Sequence, residues 1–188
     1  MLNIPEYKEY AGETKIALMD NSSLAFMHEL SQRSYPSDGI LSVYDLILIP
    51  KWVMEEIEDS TYRSTYVEQL QAQGYPIRWI DETKYGAFVN DEDVNLYYII
   101  EAAVSRVSEL MRFLRRKVKT EDLIDLPSAE EWMNRLYDEW PIHGRTLSTG
   151  RTLKKNAGEI SLTILAEIFA WYHDGAVSYT HLTLPTIL

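Results

Sequence analysis

The sequence predicts an α/β protein: a three-layer α/β/α domain with helices on both faces of a central parallel sheet. Three observations carry this. Short apolar strands alternate with helical stretches, in the order strand, helix, strand, helices, strand, helices. Leu46–Ile49 (LILI) is continuously apolar rather than alternating, as a strand buried on both faces must be. The composition, 46% apolar and 25% charged over 188 residues, is that of a globular chain long enough to bury a core without staples.

The elements follow in order. Lys15–Met19 (KIALM) reads as the first and central strand, ending in Asp20. Asn21-Ser22-Ser23 starts a helix, and Leu24–Gln32 continues it with Leu24, Met27, His28 and Leu30 near one face. The loop Tyr35–Gly39 leads to Leu46–Ile49, a strand expected beside the first. Pro50 stops that strand and suits the first turn of a helix carrying Trp52, Val53, Glu56 and Ile57. Thr65–Ala72 reads as a helix ending at Gly74, and Pro76–Ile80 (PIRWI) as the third strand, further out.

From Asp91 to Val118 the spacing of Leu96, Ile99, Ile100, Val104, Val107 and Leu110 predicts one long helix. Ser128-Ala-Glu-Glu131 is a capping-box pattern opening a helix over 129–139. Leu147–Lys155 (LSTGRTLKK) reads as a polar, basic loop. Asn156 caps a last helix, Ala157–His173, with Gly175 at its end. Residues 1–176 are expected to form a single domain in which 83–150 is a mostly helical insertion or cap. Val177–Thr186 (VSYTHLTLPT) matches one reading frame of a transposase-type sequencing adaptor residue for residue. The tail 177–188 is therefore expected to be artefactual, with native sequence continuing past Ala176, although its alternation also suits a terminal strand.

Composition excludes several kinds of function. Without cysteine there is no disulfide framework, thiol catalysis or Cys-based zinc site. The N-terminal residues lack the basic and apolar regions of a signal peptide, and no apolar run nears the ~18 residues of a membrane span, so a cytoplasmic location is expected. A net charge of −11 disfavours sequence-independent binding of nucleic acid, yet acids gathered in a metal site would lower the charge while favouring a metal–phosphate pair. There is no P-loop and no G-x-G-x-x-G. The four histidines show no ligand spacing.

Three acids stand out by context. Asp20 sits at the carboxyl end of a strand, where open α/β sheets bind ligands; it is equally placed to cap the following helix. Glu56 lies on a helix about 60° from the apolar Val53 direction, either facing the same crevice or reaching water at a boundary. Glu159, three residues after Asn156, is either a first-turn acid facing the crevice or the N3 residue of a capping box. Arg145, Arg151, Lys154 and Lys155 precede the Glu159 helix and are candidate contacts for a polyanion. Arg112, Arg115, Arg116, Lys117 and Lys119 close the long helix and read better as compensation of its dipole. Trp132, Tyr137 and Trp140 read as packing residues rather than stacking platforms.

The segments KIALMDNSSL (Lys15–Leu24), LILIPKWVMEEI (Leu46–Ile57) and NAGEISLTILAEI (Asn156–Ile168) resemble the PIN-domain family of metal-dependent ribonucleases. The resemblance implies a sheet of the kind described and an endoribonuclease that hydrolyses RNA phosphodiester bonds. It assigns Asp20, Glu56 and Glu159 as catalytic metal ligands for Mg²⁺ or Mn²⁺, hard cations that choose carboxylate oxygen. The family's fourth acid would follow a strand beginning near Ala176, where the adaptor-like tail starts. The alternative is a catalytically degenerate member of the same fold that binds RNA or a protein partner. An antitoxin is one partner known for the family, although no residue here points to it.

Overall fold

The computed structural model describes residues 2–33, 38–89, 93–117 and 127–173. These divide into two compact units, the first within Met1–Ile80 and the second within Asp81–Asp174.

The first unit is α/β. Strands β1 (Ile16–Leu18), β2 (Leu46–Pro50) and β3 (Ile77–Ile80) form a parallel sheet in the order β1-β2-β3. All five residues of β2 are buried, which explains why that stretch is apolar throughout rather than alternating. Helix α1 (Asn21–Gln32) connects β1 to β2, while α2 (Lys51–Glu58) and α3 (Thr61–Ala72) connect β2 to β3. The three helices pack on one another, and α2 also packs on β2 and β3. The N-terminal segment adds a parallel bridge beyond β3, where Tyr7 N donates to Trp79 O (2.7 Å) and Trp79 N donates to Pro5 O (3.1 Å). At the opposite end of the strands, Asp45 Oδ2 accepts from Thr14 N, Thr14 Oγ1 and Lys15 N at 3.0–3.2 Å. The Thr14 hydroxyl and amide hold its carboxyl below its ordinary range and tie the entry of β1 to that of β2.

One expectation about the sheet is corrected. Lys15–Met19 was expected at the centre, but among the described residues β1 is an edge strand and β2 is central. Successive crossovers step the chain in one direction, β1 to β2 to β3, and so leave the first strand outside. The expected strand after Ala176 and the whole tail 177–188 lie outside the described residues.

The second unit is mainly helical. A 3₁₀ segment, Glu82–Val89, leads to α4 (Asp93–Val104), α5 (Ser108–Lys117), α6 (Ala129–Asp138) and α7 (Ala157–Tyr172). The Glu82–Val89 segment packs against α4, α6 and α7, and α4 packs against α7. The single long helix expected over Asp91–Val118 is instead α4 and α5, broken at Ser105–Val107. Ser105 N and Val107 N bond three residues back, to Ala102 O and Val104 O, so the turn tightens and ends. Serine and β-branched valine are weak helix formers, and the apolar period had masked that break.

The stretch expected to be a basic loop, Leu147–Lys155, is the turn and second strand of a hairpin in which β5 (Thr152–Lys154) pairs antiparallel with the preceding β4 (His143–Thr146). Gly150, at φ +84, allows the turn that a side chain would strain. Ser128 Oγ accepts from Glu131 N (3.3 Å) at the start of α6, which is half of the anticipated capping box. Asn156 precedes α7 in the left-handed conformation (φ 62) and makes no side-chain capping bond. Its role is to turn the chain from the hairpin into α7, a conformation asparagine adopts more readily than most residues.

Gly86 decides how closely the 3₁₀ segment approaches α6, because a Cβ added there would stand 2.5 Å from the Ala129 Cβ. Gly86→Ala should cost about 1–3 kcal/mol by overpacking, read as a lower urea midpoint with an unchanged slope. Gly39→Ala, where a Cβ meets nothing within 4 Å, should be close to neutral.

Candidate functional site

Two of the three candidate acids belong to the first unit, on elements that follow its adjacent strands β1 and β2. The β1–β2 register pairs Leu18 with Leu48, and continued by two residues it sets Asp20 level with Pro50, where α2 begins. Asp20 is the N-cap of α1, and its Oδ1 accepts from Ser23 N at 2.6 Å. Glu56 is half-buried on α2, and its Oε2 accepts from Asn21 Nδ2 at 3.2 Å. Asn21 thus links the two carboxylates, being the residue after one and the donor to the other. Its Oδ1 is buried and accepts no hydrogen bond among the described residues. A buried acceptor of this kind calls for a donor or a cation.

Asp20 caps α1, and it lies just past the carboxyl end of β1. Glu56 turns inward to a polar partner rather than simply reaching water. Asn21 was missed as a site residue. Its signal was an amide directly after a strand-terminal acid, which read only as a helix start.

The third acid, Glu159, lies in the second unit in the first turn of α7. It is exposed, and its backbone oxygen accepts from Thr163 Oγ1 at 2.9 Å. The capping-box partnership weighed for it lacks its Asn156 half, as described above. Among the described residues no group of three or more His, Asp or Glu side chains is gathered as a metal cluster.

The four candidate cationic residues lie on the hairpin. Arg151 and Lys154 flank the Tyr137 ring, each charge 5.9 Å from its centroid, and Lys154 Nζ also donates to Asp138 O at 3.1 Å. Such contacts contribute about 0.5–1 kcal/mol each at exposed sites. Tyr137 is a half-buried platform under two cations rather than plain packing. Trp132 and Trp140 are buried as expected. Arg145 and Lys155 are exposed. The basic end of α5 acts locally: Arg115 pairs with Glu101 (3.5 Å) and Lys117 with Glu139. Lys119 lies outside the described residues.

A buried polar chain in the second unit escaped sequence reasoning altogether. Ser161 Oγ donates to Glu82 Oε1 (2.8 Å) and lies 2.8 Å from Tyr85 Oη, with all three residues fully buried. Glu82 follows the third strand in sequence and looks like an ordinary loop acid. Only the packing of α7 on the 3₁₀ segment reveals its burial. Burial pushes the Tyr85 phenol well above its ordinary value of 10.0, and the charges of Glu82 and Asp81 push the same way; the Ser161 hydrogen bond opposes them. Among the described residues no helix is long and apolar enough to cross a membrane.

Compared with known family models, curated proteins and solved structures, the chain matches none.

Ser161→Ala removes the donor to Glu82 and the partner of Tyr85, and should cost about 1–3 kcal/mol in chemical denaturation. The raised Tyr85 value carries a pH signature. The folded chain keeps a proton that the unfolded chain loses near its ordinary value of 10.0. The stabilisation is therefore complete below that pH and falls as pH rises above it. Stability followed across that range should decline less steeply in Tyr85→Phe than in the parent chain. Part of the slope should remain, because burial and Glu13 raise Tyr7 as well.

Proposed function

We propose that the chain is a PIN-like, Mg²⁺- or Mn²⁺-dependent endoribonuclease whose acidic site is built around Asp20 and Glu56. The observation that carries this reading is the Asp20–Asn21–Glu56 arrangement at the carboxyl ends of two adjacent parallel strands. Its two acids offer carboxylate oxygen, and that chemistry fits a hard divalent cation. Such a cation, when bound, supplies an activated water and neutralises charge on the phosphate. The chain's own part is positional. The α1 cap fixes the Asp20 carboxylate through Ser23 N, and Asn21 fixes Glu56.

The resemblance assigns Glu159 to the same ligand set. The edge position of β1 among the described residues counts against the resemblance, which expects that strand at the centre. A second reading, a degenerate domain that binds RNA without cutting it, is favoured by the hairpin. There Arg151 and Lys154 stand over Tyr137, a cationic and aromatic surface that needs no metal. A protein partner in place of RNA is the other form of that reading.

The test is metal-dependent cleavage of single-stranded RNA. Asp20→Asn retains a good N-cap residue, so stability should hold while cleavage falls by orders of magnitude. Glu56→Gln should behave in the same way. Glu55→Gln, about 100° around the helix, should leave the rate nearly unchanged. Glu159→Gln at an exposed position should fold normally, and loss of cleavage would place it in the ligand set. Equal cleavage by Asp20→Asn and Glu55→Gln rejects the site. RNA binding without cleavage by any version favours the degenerate domain.

A further inference from the structure

The first unit holds a cavity of about 480 Å³ that the acidic site does not use. It lies between two helices already shown to pack together, α1 and α3. Helical spacing builds it. His28 and Gln32 stand four residues apart on α1, and Thr61, Thr65 and Gln69 stand four apart along α3, with Tyr62 and Tyr66 beside them. The small threonines leave the space that larger side chains on this stripe would fill. The volume falls within the range of small-molecule sites.

Its chemistry is selective. Every lining side chain is an uncharged amide or hydroxyl group or carries a ring, and no lysine, arginine or carboxylate takes part. Apart from the His28 imidazole, nothing there favours a phosphate, a metal ion or a charged peptide. The amides and hydroxyls also make the cavity a poor home for an acyl chain, because an apolar guest would strip them of water. What remains is a neutral, flat group with donors and acceptors on its edge.

The ring geometry narrows this further. The His28 and Tyr62 rings have centroids 6.4 Å apart with planes inclined by only 30°. Tyr62 is 77% exposed, so a flat guest can lie on its ring face, whereas the buried Tyr66 lies 5.2 Å from His28 and supports it.

We propose that this cavity binds a nucleobase, stacked on the Tyr62 ring beside His28 and read at its edge by the Gln32 and Gln69 amides. The base belongs to a single RNA strand or to a free nucleoside. The strand form rests on the ribonuclease reading; the pocket itself does not.

The experiment measures binding by the full chain in EDTA, which separates base recognition from metal-dependent cleavage. Three probes are compared: a fluorescent single-stranded oligoribonucleotide, an abasic strand of equal length, and adenosine. The base-bearing strand should bind more tightly than the abasic one. Tyr62→Ala, an exposed change that should not disturb folding, should weaken that binding about five- to hundred-fold. Tyr62→Phe should restore most of it, because the ring face remains. Gln69→Ala should change the preference among bases more than the overall affinity. Binding read in EDTA involves no cleavage, so failure of the nuclease reading would leave this result intact. Adenosine binding that depends on Tyr62, without strand binding, assigns the pocket to a free nucleoside. Equal binding of base-bearing and abasic strands together with no adenosine binding overturns the proposal, as does indifference of every probe to Tyr62→Ala.

Discussion

The first unit depends on one constraint: β2 has no exposed face. A strand buried on both sides cannot alternate polar and apolar residues, and its parallel neighbours cannot be joined by tight turns. Each connection must cross back, and helices α1, α2 and α3 are those crossings. Parallel strands end on the same edge, so residues just past β1 and β2 come together whatever their separation in sequence. Asp20 and the α2 helix carrying Glu56 are neighbours for that reason. The Asn21 bridge is a consequence of the register, with the β1–β2 pairing placing α1's first residue beside α2.

The second unit is organised around a polar interior. Glu82, Ser161 and Tyr85 form a hydrogen-bonded chain where α7 meets the 3₁₀ segment, at a place with no solvent contact. Ser161 sits among Ile160, Leu162, Ile164 and Leu165, all buried, so one hydroxyl serves as the polar contact within the buried part of α7. Such a chain restricts how α7 can rotate, because any other angle would leave a carboxyl group and a phenol facing hydrocarbon. Gly86 acts beside it by steric means, since no side chain fits between that backbone and Ala129.

The two candidate binding features of the first unit use different physics. The acidic edge offers carboxylates, which suit a cation or a hydrogen-bond donor. The α1–α3 cavity carries no charge and offers stacking faces and neutral hydrogen-bonding groups. A phosphodiester strand presents both kinds of group, anionic backbone and neutral base. The cationic pair over Tyr137, in the second unit, presents the charge opposite to that of the acidic edge.

Apolar pattern alone determined the existence and kind of most elements. LILI before Pro50 identified the buried strand and the helix after it, KIALM and PIRWI identified its partners, and Ser128 marked the start of α6. These features are local and follow from propensity, capping and period. Tertiary structure decided what depends on partners distant in sequence. Sheet order was one such matter, because any of three similar strands can be central until pairing is known. The break in the Asp91–Val118 helix was another, since apolar periodicity continues through Ser105–Val107 although the hydrogen bonds do not. The short β4–β5 hairpin carries too few apolar residues to announce itself. Asp20 and Glu56 were legible as acids at the right ends of elements, but their link through Asn21 was not, nor were the burial of Glu82 and the cavity faced by His28 and Tyr62. Each arises between side chains far apart in the chain, and only the packing of one element on another brings them together.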